Sequence, residues 1–301
     1  MIGDVINHIG LSSGKDSTAL WGWAINDSGY PIESIRGSFA DTQNEYDEVY
    51  EHIRKLDEYG QERGVAPIRT LHSEGFLALA IRNKRFPSAR ARFCTQVLKI
   101  IPFLYYLQEL WVDGCEVVLH VGVRASESTE RSLLSEWGEQ YGCRIRRPLL
   151  RSSIAHVWEL HKRYGLPINP LYFTGRRRVG CKLCCMSNKQ DVRITAKAKP
   201  ETIALYREWE LAVDAVSNSP ASFFQSRMIP KQLHSRIVAV KKDTPRLKAG
   251  QQVTACTIDD VVKWSMTLRG GKQLGMDFMY DDSPIFEVDD AHAPCQSGYC
   301  E

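Results

Sequence analysis

Two cysteines separated by two residues, Cys181 and Cys184, form a metal-binding pattern. This spacing lets two thiolates bind one metal ion or one iron–sulfur cluster, but a tetrahedral site needs further ligands. The chain contains nine cysteines, and its start, Met1-Ile2-Gly3-Asp4, shows no secretory signal. We therefore expect a cytoplasmic protein whose cysteines serve metal or redox chemistry rather than a disulfide scaffold.

A second chemical motif is the segment Leu11-Ser12-Ser13-Gly14-Lys15-Asp16-Ser17, which lies between a predicted strand and a predicted helix. Small residues let backbone N–H groups approach a polyphosphate, and a helix N-terminus favours negative charge. Lys15 supplies a cation and the serines supply hydroxyl donors. The glycine spacing of a Walker A loop is missing. The alternative is an ordinary strand–turn–helix with Asp16 or Ser17 as the N-cap.

The loop resembles the Ser-Gly-Gly-Lys-Asp-Ser loop of the N-type ATP pyrophosphatases, with Ser13 in place of a glycine. The resemblance implies that residues 12–17 hold the pyrophosphate of ATP while its α-phosphate is attacked. Asp41-Thr42 resembles the Asp-Thr-Gly element that lies near the nucleotide in that superfamily. Gln43 stands where glycine is usual, and Glu45 matches an acidic residue that commonly follows.

Three further stretches resemble the PAPS reductase branch of that superfamily. These are Gly122-Val123-Arg124 with Glu127, Ser128 and Arg131; the block from Pro148 to Gly175, including Leu166-Pro167-Ile168-Asn169-Pro170-Leu171-Tyr172; and Arg178-Val179-Gly180-Cys181-Lys182-Leu183-Cys184. The matches run in order over residues 8–187. They imply that Asp41, Gly122 and Arg124 belong to the nucleotide site together with the loop. For Arg124, a surface ion pair with Glu127 is the alternative.

The resemblance also implies that Cys94 supplies a cluster ligand, since residues 92–102 are similar to the element that carries cluster cysteines in iron–sulfur members. We expect Cys94, Cys181, Cys184 and Cys295 to hold a [4Fe–4S] cluster. Cys295 is chosen because a chain end can fold back to close a site; Cys185 and Cys300 are the other candidates. Spacing alone does not separate the cluster from structural zinc.

Two reactions are compatible with these motifs, and both imply a sulfur or electron donor protein. In the first, ATP with Mg²⁺ binds at residues 12–17, Lys15 stabilises the leaving pyrophosphate, and sulfur from the cluster or Cys300 replaces the adenylate. In the second, Cys300 attacks the sulfur of PAPS or APS and sulfite is released. Reductases of this branch usually lack the loop lysine and carry a different tail motif, which favours the first reaction. A nucleotide-binding scaffold without turnover is the third hypothesis.

The elements that position these motifs alternate between strand and helix. We predict strands at 5–11, 34–39, 66–71 and 116–121, and helices from about 16, at 45–63 and at 96–111. This pattern predicts a doubly wound, mostly parallel α/β sheet, and the resemblance specifies an adenine nucleotide alpha-hydrolase-like fold. Helices at 154–164, 200–216 and 258–268 follow. We expect a catalytic domain over 1–190 and a helical C-terminal extension over 191–301 with a cysteine-containing tail.

The composition excludes several classes of protein. Charged residues make up 25% of the 301 residues and hydrophobic residues 43%, which excludes a disordered or fibrous chain. No apolar run is long enough to span a membrane. The net charge of +3 does not by itself indicate a nucleic-acid partner. Basic runs at 82–92 and 144–147 either follow a nucleic-acid backbone or are solvated faces. The oligomeric state stays open.

Overall fold

A computed structural model of the chain describes residues 4–218, 220–223, 229–243 and 248–268. The described residues form two compact units. The first contains residues up to 73 and 95–181, and the second contains 74–94 together with 182–268. The sequence-based boundary near residue 190 stays a prediction. The predicted tail, with Cys295 and Cys300, lies outside the described residues.

The first unit is built on a six-stranded sheet. Its strands are β1 (Val5–Leu11), β2 (Ile35–Ala40), β3 (Arg69–Leu71), β4 (Glu116–His120), β5 (Trp137–Gln140) and β6 (Cys143–Arg146). The order is β3-β2-β1-β4-β6-β5, and every pair is parallel except β5 with β6. The predicted mostly parallel sheet is confirmed, with β1 at its centre.

Helices cover both faces of this sheet. The helices of the first unit are α1 (Lys15–Asn26), α2 (Asp47–Gln61), α5 (Ile101–Val112), α6 (Thr129–Ser132) and α7 (Ile154–Tyr164); the short α4 (Phe93–Thr95) and a π-helical turn (Gln96–Ile100) precede α5. Ile9 and Leu11 of β1 pack in one core with α1, α2 and α7, while Ile6 packs in the other with α5. Alternate residues of one strand therefore serve two cores, as a doubly wound sheet requires.

Trp21 fixes the position of α1 in its core. The ring is fully buried, and its Nε1–H donates to the carbonyl of Leu56 at 3.1 Å. A Cβ atom at Gly60 would lie 2.8 Å from this ring, and one at Gly37 would lie 3.1 Å from it. Glycine at these two positions therefore makes room for the indole between α2 and the sheet.

The second unit is largely helical and confirms the predicted helical C-terminal extension. It contains α3 (Phe76–Arg82), α8 (Lys189–Ala198), α9 (Pro200–Val216), α10 (Ile258–Ser265) and a hairpin of β7 (Arg236–Ala239) and β8 (Gln252–Ala255). Its core is an aromatic cluster of Phe76, Phe86, Tyr206, Trp209 and Phe223. Among the helices within the described ranges, none is long and apolar enough to cross a membrane.

Candidate functional site

The predicted phosphate loop joins β1 to α1 at the carboxyl edge of the sheet. Ser12 Oγ lies 3.0 Å from Ser17 Oγ, and Ser17 Oγ donates to the carbonyl of Gly14 at 3.1 Å. Because α1 begins at Lys15, its first backbone N–H groups have no partner within the helix. The N–H of Lys15 donates to Tyr172 Oη at 2.8 Å. The loop thus presents a helix N-terminus, which attracts anions.

Ser13 adopts a left-handed backbone conformation with φ of 65°. This is the conformation that glycine adopts most readily, so the substitution of the family's glycine is strained. Its fully buried hydroxyl lies 3.0 Å from His52 Nδ1 and accepts from Asn169 Nδ2 at 2.7 Å. His52 Nε2 donates to the carbonyl of Pro167 at 3.1 Å, so Nδ1 is the acceptor for Ser13. The Ser13 side chain therefore anchors the loop to His52 and Asn169.

Gln43 repeats this pattern at the second position where the family has glycine. Its φ is 56°, and its backbone N–H donates to Asp41 Oδ1 at 2.8 Å. The exposed side chain makes one long contact of 3.4 Å to the carbonyl of Ser73. Both replaced glycines thus keep a glycine-like backbone, but only Ser13 gains buried hydrogen bonds in return.

Substitution of Ser13 and of Gln43 by glycine should therefore change the free energy of unfolding in opposite directions. We expect Gln43→Gly to raise the free energy of unfolding by about 0.5–1 kcal/mol, because left-handed strain is relieved. We expect Ser13→Gly to lower it by about 1–3 kcal/mol, because His52 and Asn169 lose a buried partner. Denaturant titration of the two variants measures both changes, and equal signs would contradict this assignment.

Lys15, Asp16 and Arg124 form a buried charged cluster beneath the loop. Arg124 Nε lies 2.6 Å from Asp16 Oδ1, and Lys15 Nζ lies 3.2 Å from Asp16 Oδ2. The side chains of Arg124 and Asp16 are each 1% exposed. Burial alone would raise the pKa of Asp16, but the charges of Lys15 and Arg124 hold it below its ordinary value. The carboxylate therefore stays ionised and orients both cations.

Gly122 lets the end of β4 approach the start of α1. A Cβ atom at this position would lie 3.0 Å from the backbone carbonyl carbon and oxygen of Asp16 and 3.2 Å from the N of Ser17. Backbone atoms at this distance cannot move without displacing the loop. The resemblance assigns Gly122 and Arg124 to the nucleotide site. In the structure both contact the phosphate loop, Gly122 through the backbone of Asp16 and Ser17 and Arg124 through the Asp16 carboxylate.

A second turn follows β2 and carries Asp41. Asp41 Oδ1 also accepts from Tyr50 Oη at 2.8 Å; burial and the Asp41 carboxylate raise the pKa of Tyr50. Thr42 Oγ1 donates to Glu45 Oε1 at 2.7 Å, and the thiol of Cys181 contacts the same oxygen at 3.7 Å. Glu45 is 4% exposed. Its carboxylate therefore links this turn to Cys181, one of the predicted cluster cysteines.

A cleft opens where β1 and β2 end, beside the phosphate loop. Its lining includes Ser12 of the loop, Phe39 of β2, Glu45, Lys99 of the π-helical turn and Gly180. Ligands of open α/β sheets bind beyond the carboxyl ends of their strands. The cleft has this location, and its walls combine apolar surface with charged groups of both signs, as small-molecule sites commonly do.

The predicted cluster cysteines divide between the units. Cys181 belongs to the first unit, whereas Cys94 and Cys184 belong to the second. All three are partly exposed thiols, as is Cys185. Cys143 and Cys256 are buried, and burial raises the pKa of both, to about 12 for Cys256. Within each unit taken alone, no three described His, Cys, Asp or Glu side chains are placed so that they could hold a metal ion.

Sequence reasoning missed the residues that hold the loop from the side. His52, Asn169 and Tyr172 bind it through Ser13 and Lys15, and His161 Nε2 donates to the carbonyl of Lys15 at 2.7 Å. Asn169 and Tyr172 lie in the Pro-Leu-Tyr block that resembles the family, which was the available signal. His52 and His161 lie on helices. Their sequence pattern predicts amphipathic helices and gives no sign of a contact with the loop.

Buried histidines make the first unit sensitive to acid. Burial lowers the pKa of His8 to about 3 and of His52 and His120 to about 4, and it also lowers the pKa of His161. In the unfolded chain these histidines bind protons near pH 6.5. The stability that they contribute as neutral side chains is therefore fully present above that pH, and it is lost as the pH falls towards 4. At pH 5.5 the depressed pKa values of His8, His52 and His120 should each lower the free energy of unfolding by about 1.4 kcal/mol.

Urea unfolding at pH 7.5 and about 5.5 tests this dependence. The variant His120→Gln should show a smaller loss between the two pH values than the wild-type chain. In the second unit, burial raises the pKa of Glu210 to about 7. The contribution of Glu210 to the free energy of unfolding therefore falls as the pH rises, opposite to the contribution of the histidines. Equal unfolding free energies at both pH values would contradict the neutral state of these histidines.

The sequence is similar to a known protein family and to several known proteins. Residues 7–187 match the phosphoadenosine phosphosulfate reductase domain. A 37.8 kDa protein of Escherichia phage 186 is 30% identical over 89% of this chain and 90% of its own length. Adenosine 5'-phosphosulfate reductase of Bacillus cereus is 24% identical over 56% of this chain and 72% of its own.

Among solved structures, phosphoadenylyl-sulfate reductase of Candida auris in its phosphate complex has a TM-score of 0.44 and 15% identity, over 59% of this chain and 81% of its own. The domain match extends over more than half of the sequence and includes the loop, the Asp41 turn, the Arg124 segment and the Cys181–Cys184 pair. The family resemblance of the sequence is therefore confirmed, and the chain belongs to the phosphoadenosine phosphosulfate reductase domain family.

Proposed function

We propose that the chain is an ATP pyrophosphatase-type sulfurtransferase that adenylates an acceptor and replaces the adenylate by sulfur. The observation that carries this proposal is the loop of residues 12–17, which ends in the N-terminus of α1 and borders the cleft at Ser12. Lys15 gives this loop a cation for the β- and γ-phosphates of ATP, which a site for PAPS or APS does not need. Oriented N–H groups and a lysine suit the charge that develops on a leaving pyrophosphate.

The proposed reaction has two balanced steps. An acceptor oxygen attacks the α-phosphorus of ATP, the bond to pyrophosphate breaks, and the acceptor adenylate forms. Hydrosulfide then attacks the adenylated carbon, AMP leaves, and the sulfur stays on the acceptor as a thiol or thione. In the first step Lys15 stabilises the pyrophosphate, and Asp16, itself paired with Arg124, keeps the Lys15 ammonium group in place. Glu45 lines the cleft, and Asp41 follows the cleft residue Ala40 in the chain. Mg²⁺ accompanies ATP as part of the substrate.

The cysteine donor set supports a [4Fe–4S] cluster held by Cys94, Cys181, Cys184 and Cys295. The first three are accessible thiols without the buried apolar setting of Cys143 and Cys256, and thiolates are the ligands of such clusters. When bound, the cluster would hold or deliver the sulfur that is transferred, with Cys300 as a second sulfur carrier. Zinc is the alternative occupant of the same thiolates.

A second candidate is sulfonucleotide reduction, which the relationship to the adenosine 5'-phosphosulfate reductase of Bacillus cereus favours. In that case Cys300 attacks the sulfur of PAPS or APS, PAP or AMP leaves, and a cysteine S-sulfonate forms. A thiol then attacks the Cys300 sulfur, sulfite leaves, and the two thiols become a disulfide. Product analysis separates the two proposals. AMP and pyrophosphate formed from ATP with an acceptor support sulfur transfer, and sulfite formed from PAPS or APS with thiol supports reduction.

Replacing one proposed cluster ligand tests the metal assignment. We expect Cys181→Ser to lose the visible absorption and the iron of anaerobically purified protein, because a cubane cluster needs its thiolate ligands. Cys115→Ser makes the same chemical change at a partly exposed thiol outside the proposed site and should retain both. Full iron content in Cys181→Ser, with an unchanged melting temperature, would move the cluster elsewhere.

A further inference from the structure

Basic residues are distributed unevenly between the two units. Residues 74–94 and 182–268 contain 19 Lys and Arg but only 9 Asp and Glu, a net charge of +10. Residues 1–73 and 95–181 contain 18 Lys and Arg and 20 Asp and Glu, a net charge of −2. The chain's overall +3 conceals this asymmetry. A strongly basic unit within a nearly neutral chain is typical of polyanion binding.

The acidic residues of the second unit are largely used within it. Asp214 pairs with Arg236 and Asp259 with Arg207, while Glu210 is buried and accepts the N–H groups of Phe223 and Ile258. Several exposed cations, by contrast, form no ion pair with any residue that the structure describes: Lys84, Arg85, Arg90, Lys197, Lys231, Lys242 and Lys263. The excess positive charge therefore faces solvent.

Three of these cations lie in one ordered turn after α3, residues 82–92, which we name the cationic turn. Phe86 and Pro87 are buried and anchor it, since Phe86 packs on Phe76 and Phe223. Paired backbone bonds of 3.0 and 3.2 Å join Ser88 and Ala91. The fold thus holds the backbone of the turn and directs its cations outward.

We propose that the cationic turn binds the phosphate backbone of a nucleic acid, which is then the acceptor of the sulfur transfer; the acceptor role rests on the proposed function. Exposed cations spread along a turn match a polymer of regularly spaced phosphates, whereas a small anion needs donors that converge in a pocket. The guanidinium of Arg85 lies over the Phe93 ring at 5.3 Å, so this planar group is already held flat. Arginine planes of this kind can stack on unpaired bases.

The test measures binding of fluorescent oligonucleotides, single-stranded RNA, single-stranded DNA and duplex DNA, to the full chain at several KCl concentrations without ATP. We expect the affinity to fall linearly with salt on logarithmic axes. The double variant Lys84→Gln/Arg90→Gln should reduce the salt slope by about 2 and weaken binding by about 10-fold or more at 0.1 M KCl. The preferred oligonucleotide then identifies the class of nucleic acid.

The matched control is Arg54→Gln/Lys55→Gln on α2, which removes the same two charges from an exposed helix of the first unit. It should leave the slope unchanged. Equal weakening by both double variants, no oligonucleotide binding at low salt, or tighter binding to phosphatidylserine-containing vesicles would each overturn the proposal. Lys15→Ala should retain oligonucleotide binding, so a failure of ATP chemistry is distinguishable from a failure of this surface.

Discussion

Replacing Lys15 by alanine is expected to reduce pyrophosphate release from ATP by about 10²- to 10³-fold, the usual cost of removing one preorganised stabiliser of transition-state charge. The ammonium group is held 3.2 Å from Asp16 in a nearly buried position, so its location is fixed before any ligand binds. Release of pyrophosphate is measured with a coupled assay at saturating ATP·Mg²⁺. Iron content and the visible spectrum should not change, because Lys15 is not one of the proposed thiolate ligands.

Lys55→Ala provides the matched control for this experiment. Lys55 lies on α2, is about half exposed, and forms a surface ion pair with Glu51. Its replacement should leave pyrophosphate release within about two-fold of the wild-type rate. Undiminished release in Lys15→Ala would contradict the role of the loop, and loss of the cluster spectrum in that variant would contradict the separate roles of loop and cysteines.

The second large effect is expected at Arg124. Arg124→Ala should lower the free energy of unfolding by about 3–5 kcal/mol, because it leaves the Asp16 carboxylate buried without its closest cation. The pair is 1% exposed on both sides, and Arg124 Nη1 also donates to Ser126 Oγ at 3.0 Å. Denaturant titration measures the loss, with nucleotide affinity measured on the folded fraction.

Arg54→Ala removes an arginine that is equally well paired but exposed. Its partners are Glu51 and Glu58, and each of the three side chains is about half exposed. Surface pairs of this kind contribute about 0–1 kcal/mol, so Arg54→Ala should be nearly neutral. A small loss of stability in Arg124→Ala, together with a large loss of nucleotide affinity, would instead favour direct contact between Arg124 and a phosphate.

Local patterns predicted the elements that carry the phosphate loop. The apolar run of β1, the small residues after it and the apolar residues of α1 are all short-range features. The structure confirms the bounds of both elements within one or two residues. The hairpin of β5 and β6 was missed. Its two-residue turn is Tyr141-Gly142, with φ of 54° and 74°, and tyrosine is not a typical residue at such a position.

Long-range packing decided what the sequence could not reveal. Residues 74–94 join the second unit because Phe76 and Phe86 pack against Trp209 and Phe223, which lie more than a hundred residues later. Arg124 was expected at a phosphate or in a surface pair, and only the tertiary structure places it against Asp16. The support of Ser13 by His52 likewise depends on the position of α2 relative to the loop.

We propose that this family member uses ATP and a [4Fe–4S] cluster. The most direct test is calorimetric titration of anaerobically purified, iron-quantified protein with ATP·Mg²⁺, PAPS and APS. We predict about four irons per chain and tightest binding of ATP·Mg²⁺, with binding lost in Lys15→Ala. Tight binding of PAPS or APS without measurable affinity for ATP, or zinc in place of iron, would contradict the claim.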